Sequence, residues 1–186
     1  MKTEKLEKKI VGEKIANELY ELMEELYPIC RSITGNGVRK TLKILKKKIP
    51  LKIVEVPTGT KVFDWKIPLE WNIKDAYVKN LQGERIIDFK KSNIHLLNYS
   101  IPINKKISRQ ELKLHLHTLP DKPNSIPYVT SYYKKNWGFC IPFNKFKNLK
   151  KNNSYYVDIS TKLFNGKMNY GEIFIKGKSK KEILIC

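Results

Sequence analysis

The hydrophobic pattern of the chain changes character twice along its length. Residues 4–26 place apolar side chains three and four positions apart, which predicts an amphipathic helix ending before Pro28. The apolar positions of this helix are Ile15, Leu19, Leu22, Met23 and Leu26. A second short helix is predicted over 37–48, before Pro50. Both patterns are typical of helices that cover a sheet.

From residue 51 onward the pattern is that of β-strands. "LKIVEVPTG" predicts a strand stopped by Pro57 and Gly59. Hairpins are predicted at residues 81–84 and, more strongly, at Asn165-Gly166. "NIHLLNYSIPI" is strand-like, "IPYVTSYY" and "WGFCIPF" predict neighbouring strands, and the closing apolar run "EILIC" predicts a buried strand. Ser108, with Glu three residues on, resembles a helix capping box.

The middle of the chain, about residues 60–150, is aromatic, proline-rich and strand-dominated. The flanking segments look like pieces of one layered unit of helices and strands. This arrangement predicts an inserted domain, with boundaries at 1–59, 60–152 and 153–186. The segment 1–59 would form the helices and first strand of the layer, 60–152 the β-rich insert, and 153–186 the returning strands.

The histidines and cysteines leave alternatives open. His115 and His117 would face one side of a strand and hold a metal if a third ligand converged. Alternatively, "LKLHLHTLP" is a half-exposed strand with its leucines packed inward, which the absence of ligands at metal spacing favours. Cys140 predicts a buried, inert thiol. Cys30 is either activated by Arg31 or buried, and burial is favoured.

Charge and hydropathy restrict the partners and compartment. The net charge of +19 suggests nucleic-acid binding, but the lysines are scattered along the chain, which favours a solvated lysine background over a specific nucleic-acid site. The sequence contains no run of about 18 apolar residues, so no membrane span is predicted. The cysteines, three and widely spaced, suggest no disulfide framework, and we expect a cytoplasmic protein.

Aromatic and acidic residues are concentrated in the middle segment. Such residues line sugar or peptide pockets, and they also build ordinary β cores. Arg31, Asp64 and Trp65 are expected to face a cleft, because the turn after the first helix and the entry to the insert should lie near the strand ends. The candidate cleft or ligand-contacting residues are Arg31, Asp64, Trp65, Glu70, Trp71, Tyr132, Tyr133 and Trp137.

Four sequence blocks together resemble one family. They are "LYPICRSITGNGVRKTL", "VFDWKIPLEWNIKDAYV", "LHTLPDKPNSIPYVTSYYKKNWGFC" and "GKMNYGEIFIKGKSKKEILIC". The family is the bacterial aminopeptidase-like group related to two-zinc exopeptidases, with links to polysaccharide biosynthesis and an inserted β-rich domain of unknown function. The resemblance implies an α/β fold, or α+β for an isolated fragment.

The resemblance also implies what this chain lacks. In the family, the strand matching "EILIC" leads into a Cys-His-Pro element that carries the first zinc-binding histidine, and the other ligands follow. This chain therefore resembles the N-terminal part only, with no cofactor of its own and zinc in the full-length family. We expect it to be inactive alone, with a peptide or glycan-linked substrate and possible completion by a separately encoded C-terminal half. The alternative expectation is a non-catalytic module that binds glycans or peptides.

Overall fold

The computed structural model describes residues 2–149, 154–179, 181 and 183–185. Its largest sheet has four antiparallel strands. They are β4 (Glu70–Lys79), β5 (Arg85–Asp88), β6 (Ile103–Ser108) and β9 (Ser154–Phe164). Their order across the sheet is β5-β4-β9-β6. Along β9, buried and more exposed residues alternate, as expected for a strand with one face on a core.

One face of this sheet carries the hydrophobic core. Trp71, Val78, Ile107, Val157 and Ile159 point into it from the sheet. The helix α3 (Arg109–Leu114), the segment 96–101 and the segment 137–141 cover the same face. The short strands β7 (Leu116–His117) and β8 (Phe139–Cys140) pair in parallel above it, followed by α4 (Phe143–Lys147).

A second, two-stranded sheet joins residues far apart in the chain. β1 (Lys52–Pro57) pairs antiparallel with β10 (Lys167–Glu172), and α2 (Asn36–Lys46) contacts β10. A minor ribbon pairs β2 (Lys61–Val62) with β3 (Trp65–Lys66). The N-terminal helix α1 spans Lys2–Leu26. The mixture of helices and small, mostly antiparallel sheets confirms the α+β class.

The hairpin predicted at Asn165-Gly166 is wrong. These two residues do connect β9 to β10, but β9 pairs with β4 and β6 whereas β10 pairs with β1. The backbone of Gly166 instead bonds Thr58: Gly166 N donates to Thr58 Oγ1 at 3.1 Å, and Thr58 N donates to the Gly166 carbonyl at 2.9 Å. Asn-Gly therefore moves the chain from one sheet to the other.

Local signals elsewhere are confirmed. The two helices, the strand β1 and the β4–β5 hairpin form where the pattern predicts them. Ser108 caps α3, because its Oγ accepts a hydrogen bond from Glu111 N at 3.1 Å. Each of these features depends on residues close together in sequence.

Two strand predictions are wrong, and a third is only partly right. "NIHLLNYSIPI" forms a 3₁₀ turn at Asn93–His95 and irregular backbone before β6 begins at Ile103, and "IPYVTSYY" contributes only an isolated bridge at Thr130. In "LKLHLHTLP" the first three residues end α3, and only Leu116–His117 form a strand, β7. Leu112 is buried as predicted, but Leu114 is 82% exposed instead of packed inward. Short apolar runs do not distinguish strands from irregular core segments, because both bury the same side chains.

The predicted buried strand "EILIC" is also wrong over its described residues. Ile183, Leu184 and Ile185 are 88–90% exposed and belong to no strand, while Cys186 lies outside the described residues. A strand requires a hydrogen-bonded neighbour and layers on its faces, and the described part of the chain supplies neither here.

The domain boundaries stay a prediction. β9 begins at Ser154, within the predicted third segment, and lies between β4 and β6 in the four-stranded sheet.

Within the described residues, none of the helices combines the length and the apolar character that a bilayer crossing requires.

Candidate functional site

A buried carboxylate joins the two sheets. Glu70, the first residue of β4, is 4% exposed and pairs with the Arg39 guanidinium of α2. Its Oε1 also accepts from Asn72 Nδ2 at 3.2 Å, and its Oε2 accepts from Lys167 N at 3.0 Å. The Arg39 guanidinium continues the network by donating to Asn169 Oδ1 at 3.3 Å. α2, β4 and β10 are thus tied together through one side chain.

The electrostatics of this network keep Glu70 ionised. Burial by itself raises the pKa of the Glu70 carboxyl, but the hydrogen bond from Arg39, the backbone donor at Lys167 and the Arg39 charge outweigh burial and lower it overall. When protein donors occupy the acceptor sites of a carboxylate, that carboxylate has a structural role. The hydrogen bonds that the structure shows for Glu70 are therefore all to protein groups, and they connect α2, β4 and β10.

Trp71 is a core residue with satisfied polar groups. It is 3% exposed, its ring stacks on Tyr99 with centroids 5.7 Å apart, and its Nε1 donates to the Ser100 carbonyl at 3.0 Å. Trp71 N donates to Thr34 Oγ1, and the Tyr99 hydroxyl donates to the Leu69 carbonyl, so the Thr34 hydroxyl donates to the Tyr99 oxygen. Burial raises the pKa of Tyr99 to about 12.

Tyr132 and Tyr133 share one open cleft of about 500 Å³. The ring of Tyr132 meets Tyr99 edge-on, with centroids 5.0 Å apart. The Tyr133 hydroxyl donates to the Lys66 carbonyl at 3.0 Å, which fixes its ring against the β2–β3 ribbon. Lys66, Lys134 and Lys135 also line the cleft. We name it the tyrosine–lysine cleft, and it is the candidate binding site.

The remaining candidates lie elsewhere. Arg31 donates from Nη1 to the Leu26 carbonyl at 2.7 Å, which caps the C-terminal end of α1. Arg31 and Trp71 also line a separate pocket of about 340 Å³. Asp64 is exposed in the β2–β3 turn, and Trp65 is half-buried in β3. Trp137 is 6% exposed and stacks on the His115 ring, with centroids 3.6 Å apart.

The histidines and thiols are engaged in the fold. His115 Nδ1 donates to the Trp137 carbonyl at 3.0 Å, and His95 Nδ1 donates to the Cys140 carbonyl at 2.7 Å. Burial raises the pKa of Cys30 to about 11 against the opposing charge of Arg31, and burial raises the pKa of Cys140 to about 11. Among the side chains that the structure describes, no three from His, Cys, Asp or Glu gather as a metal site would require. The described residues therefore do not fit the zinc that the resemblance implies.

Sequence reasoning missed the cleft lysines and the Arg39 network. Lys134 and Lys135 directly follow the tyrosine pair in "SYYKKN", and this juxtaposition was the available signal. Arg39 and Glu70 are 31 positions apart, and their contact depends on how α2 sits against β4. No local pattern marks such a pair.

The comparisons with known proteins identify the class. A family model described as "Domain of unknown function (DUF2172)" matches residues 70–162, and the chain belongs to this family. The matched range contains the whole four-stranded sheet apart from the last residues of β9, and it contains Tyr132 and Tyr133.

Two relatives from Clostridium acetobutylicum extend the match beyond that domain. One is a "putative polysaccharide biosynthesis protein with aminopeptidase-like domain", 56% identical over 168 residues that cover 90% of this chain and 38% of the relative. The other is the crystal structure of a "putative peptidase", 54% identical with a TM-score of 0.86, covering 94% of this chain and 41% of that one. The aminopeptidase-like resemblance is confirmed, and the chain spans about two fifths of either relative's length.

Proposed function

We propose that this chain is the N-terminal, non-catalytic portion of a longer aminopeptidase-like protein. The observation that carries the proposal is the match to peptidase-like relatives at 54–56% identity over only 38–41% of their length. The absence of a three-residue donor group from the described ranges supports locating the metal ligands in the remainder of such a protein.

Exposed apolar surface supports the same proposal. Ile15, Leu19 and Met23 on α1 are 51–65% exposed, although they form the apolar face of an amphipathic helix. Phe174 and Ile175, just beyond β10, are 80% and 85% exposed. Apolar patches of this kind mark surfaces that another part of a protein covers. Here the occupant we propose is the peptidase-like remainder, on the same or a separate polypeptide.

The chemistry assigned to that remainder follows from zinc. Donor residues of that remainder would hold the zinc ions, which would supply Lewis acidity and lower the pKa of a water molecule. The described residues hold no donor set for it, so this chain's own contribution is to bind, orient or enclose the substrate. We therefore expect no peptide hydrolysis from the 186-residue chain alone.

Metal and activity measurements test the proposal together. The purified chain is equilibrated with zinc, dialysed and analysed for bound metal, and then assayed on a panel of aminoacyl p-nitroanilides. The full-length Clostridium acetobutylicum relative serves as the matched comparison. We expect no stoichiometric zinc and no released nitroaniline from the chain. Stoichiometric zinc accompanied by trimming of amino acids would refute the proposal.

A second candidate function is a non-catalytic module that binds glycans or peptides. The observation in its favour is the tyrosine–lysine cleft, where Tyr132 and Tyr133 converge although most other candidate aromatics are buried. The relative named for polysaccharide biosynthesis makes a saccharide the reasonable ligand class. The two candidates are compatible, because a binding module can present substrate to a peptidase-like domain.

A further inference from the structure

The charged side chains that line the tyrosine–lysine cleft are all positive. Three lysines, Lys66, Lys134 and Lys135, line it, and no aspartate or glutamate does. Among the ion pairs of the described residues, none involves these three ammonium groups, whereas Arg39, Arg85 and Lys167 elsewhere are each paired with a carboxylate. Unpaired cations around a concave surface favour an anionic ligand.

The walls of the cleft are fixed before any ligand arrives. Ser131 Oγ donates to the Lys134 carbonyl at 2.8 Å, which closes the turn that carries the two lysines. Elsewhere in the lining, Thr58 Oγ1 donates to the Pro68 carbonyl at 3.0 Å, and Gly59 N donates to the Ile67 carbonyl at 2.9 Å. A preformed cleft avoids much of the entropy cost of ordering loops on binding.

The lining matches a sugar ring that carries a negative charge. Tyr133 is 60% exposed and presents an aromatic surface onto which the C–H face of a sugar can pack. The side chain of Asn165 is exposed at the rim and offers an amide to hydroxyl groups. A volume of about 500 Å³ lies within the range of small-ligand sites.

We propose that the tyrosine–lysine cleft binds an acidic saccharide, with Tyr133 packing against a sugar ring and Lys134 and Lys135 pairing with its carboxylate or phosphate groups. This inference rests on the second candidate function and narrows it to anionic sugars. An acidic peptide would satisfy the lysines but would not use the stacking surface, so it is the contrasting outcome.

The net charge of +19 would attract any polyanion, so the experiment needs matched controls. The full 186-residue chain is titrated by calorimetry in about 150 mM salt with tetragalacturonic acid, neutral maltotetraose and hexaglutamate. The test variant is Lys134→Glu with Lys135→Glu. Its control is Lys47→Glu with Lys48→Glu, an adjacent exposed pair outside the cleft that receives the same change in charge.

Aromatic packing is tested in the same way. Tyr133→Ala removes the ring, and Tyr133→Phe keeps it while losing the hydrogen bond to Lys66. Tyr20→Ala, at a tyrosine of similar exposure on α1, is the control. Far-UV circular dichroism confirms that each variant retains the fold.

We expect tetragalacturonate to bind more tightly than either other probe, with binding about tenfold weaker in Lys134→Glu/Lys135→Glu and in Tyr133→Ala. We expect the two controls to bind like the parent chain, and we expect Tyr133→Phe, which keeps the ring, to bind more tightly than Tyr133→Ala. Equal loss in both lysine pairs would overturn the inference, because it would show attraction to overall charge. Tighter binding of hexaglutamate would also overturn it.

Two outcomes separate the inference from the function on which it rests. If maltotetraose binds as tightly as tetragalacturonate, with loss only in Tyr133→Ala, the cleft binds sugars but the acidic selectivity is refuted. If no probe binds, both the inference and the binding-module function are refuted. Neither outcome bears on the zinc and hydrolysis measurements, which test the peptidase-like proposal.

Discussion

Replacing Glu70 by glutamine tests whether one buried carboxylate holds the two sheets together. The glutamine side chain has the same shape but only one acceptor oxygen. In the parent chain, Oε1 accepts from Arg39 and Asn72, and Oε2 accepts from Lys167 N. One set of donors must therefore face the amide NH₂ group, and Arg39 also loses its counter-charge.

The magnitude follows from these contacts. A hydrogen bond to a charged group contributes about 1.5–3 kcal/mol, and leaving a buried donor unpaired adds a similar desolvation cost. The Arg39 side chain is 27% exposed, so water compensates part of its loss. We therefore expect Glu70→Gln to lower the free energy of unfolding by about 2 kcal/mol.

Urea unfolding followed by circular dichroism at pH 7 measures this change. The control is Glu172→Gln, because the Glu172 side chain is 47% exposed and its carboxylate lies 3.5 Å from the Lys52 ammonium. An exposed pair of this kind contributes at most about 1 kcal/mol. If Glu70→Gln cost no more than the control, the argument that this carboxylate ties α2, β4 and β10 together would be refuted.

The difference between parent and variant also depends on pH. The pKa of Glu70 is lowered in the folded chain, so its contribution to stability is fully present above the unfolded value of about 4.3 and is lost as pH falls through the lower folded pKa. The glutamine variant carries no such group. We therefore expect the gap in unfolding free energy to narrow as the pH is lowered from 5 to 3, and a gap that widened would contradict the assigned direction.

Two further predictions concern close packing and thiol reactivity. Gly166→Ala should destabilise the chain by about 1–3 kcal/mol, because its methyl group would lie 2.7 Å from the Glu70 Cβ, whereas Gly12→Ala meets nothing within 4 Å and should not destabilise; urea unfolding compares them. In a Cys186→Ser background, Cys30 and Cys140 should react with Ellman's reagent at pH 8 on the order of 100-fold more slowly than a free thiol, because burial raises both pKa values to about 11. Labelling of the native chain at the free-thiol rate would contradict this, and labelling in denaturant provides the reference rate.

Part of the candidate site was accessible from sequence. The density of aromatic residues left a ligand pocket and an ordinary β core as alternatives, and in the structure Tyr132 and Tyr133 line a cleft. The same density could not separate them from Trp71 and Trp137, which are buried in the core. Both groups have the same composition, and only the packing around each ring determines whether it meets solvent.

The sequence by itself determined the features that depend on near neighbours. The α1 and α2 helices, the Ser108 cap and the β4–β5 hairpin follow from periodicity, capping and turn chemistry. Tertiary structure alone decided that β9 and β10 separate at Asn165-Gly166, that Arg39 meets Glu70, and that three lysines surround two tyrosines. The physical reason is the separation in sequence between the interacting residues. Capping, turn and periodicity signals depend on residues a few positions apart, whereas strand partners and ion pairs are selected by burial across the whole core.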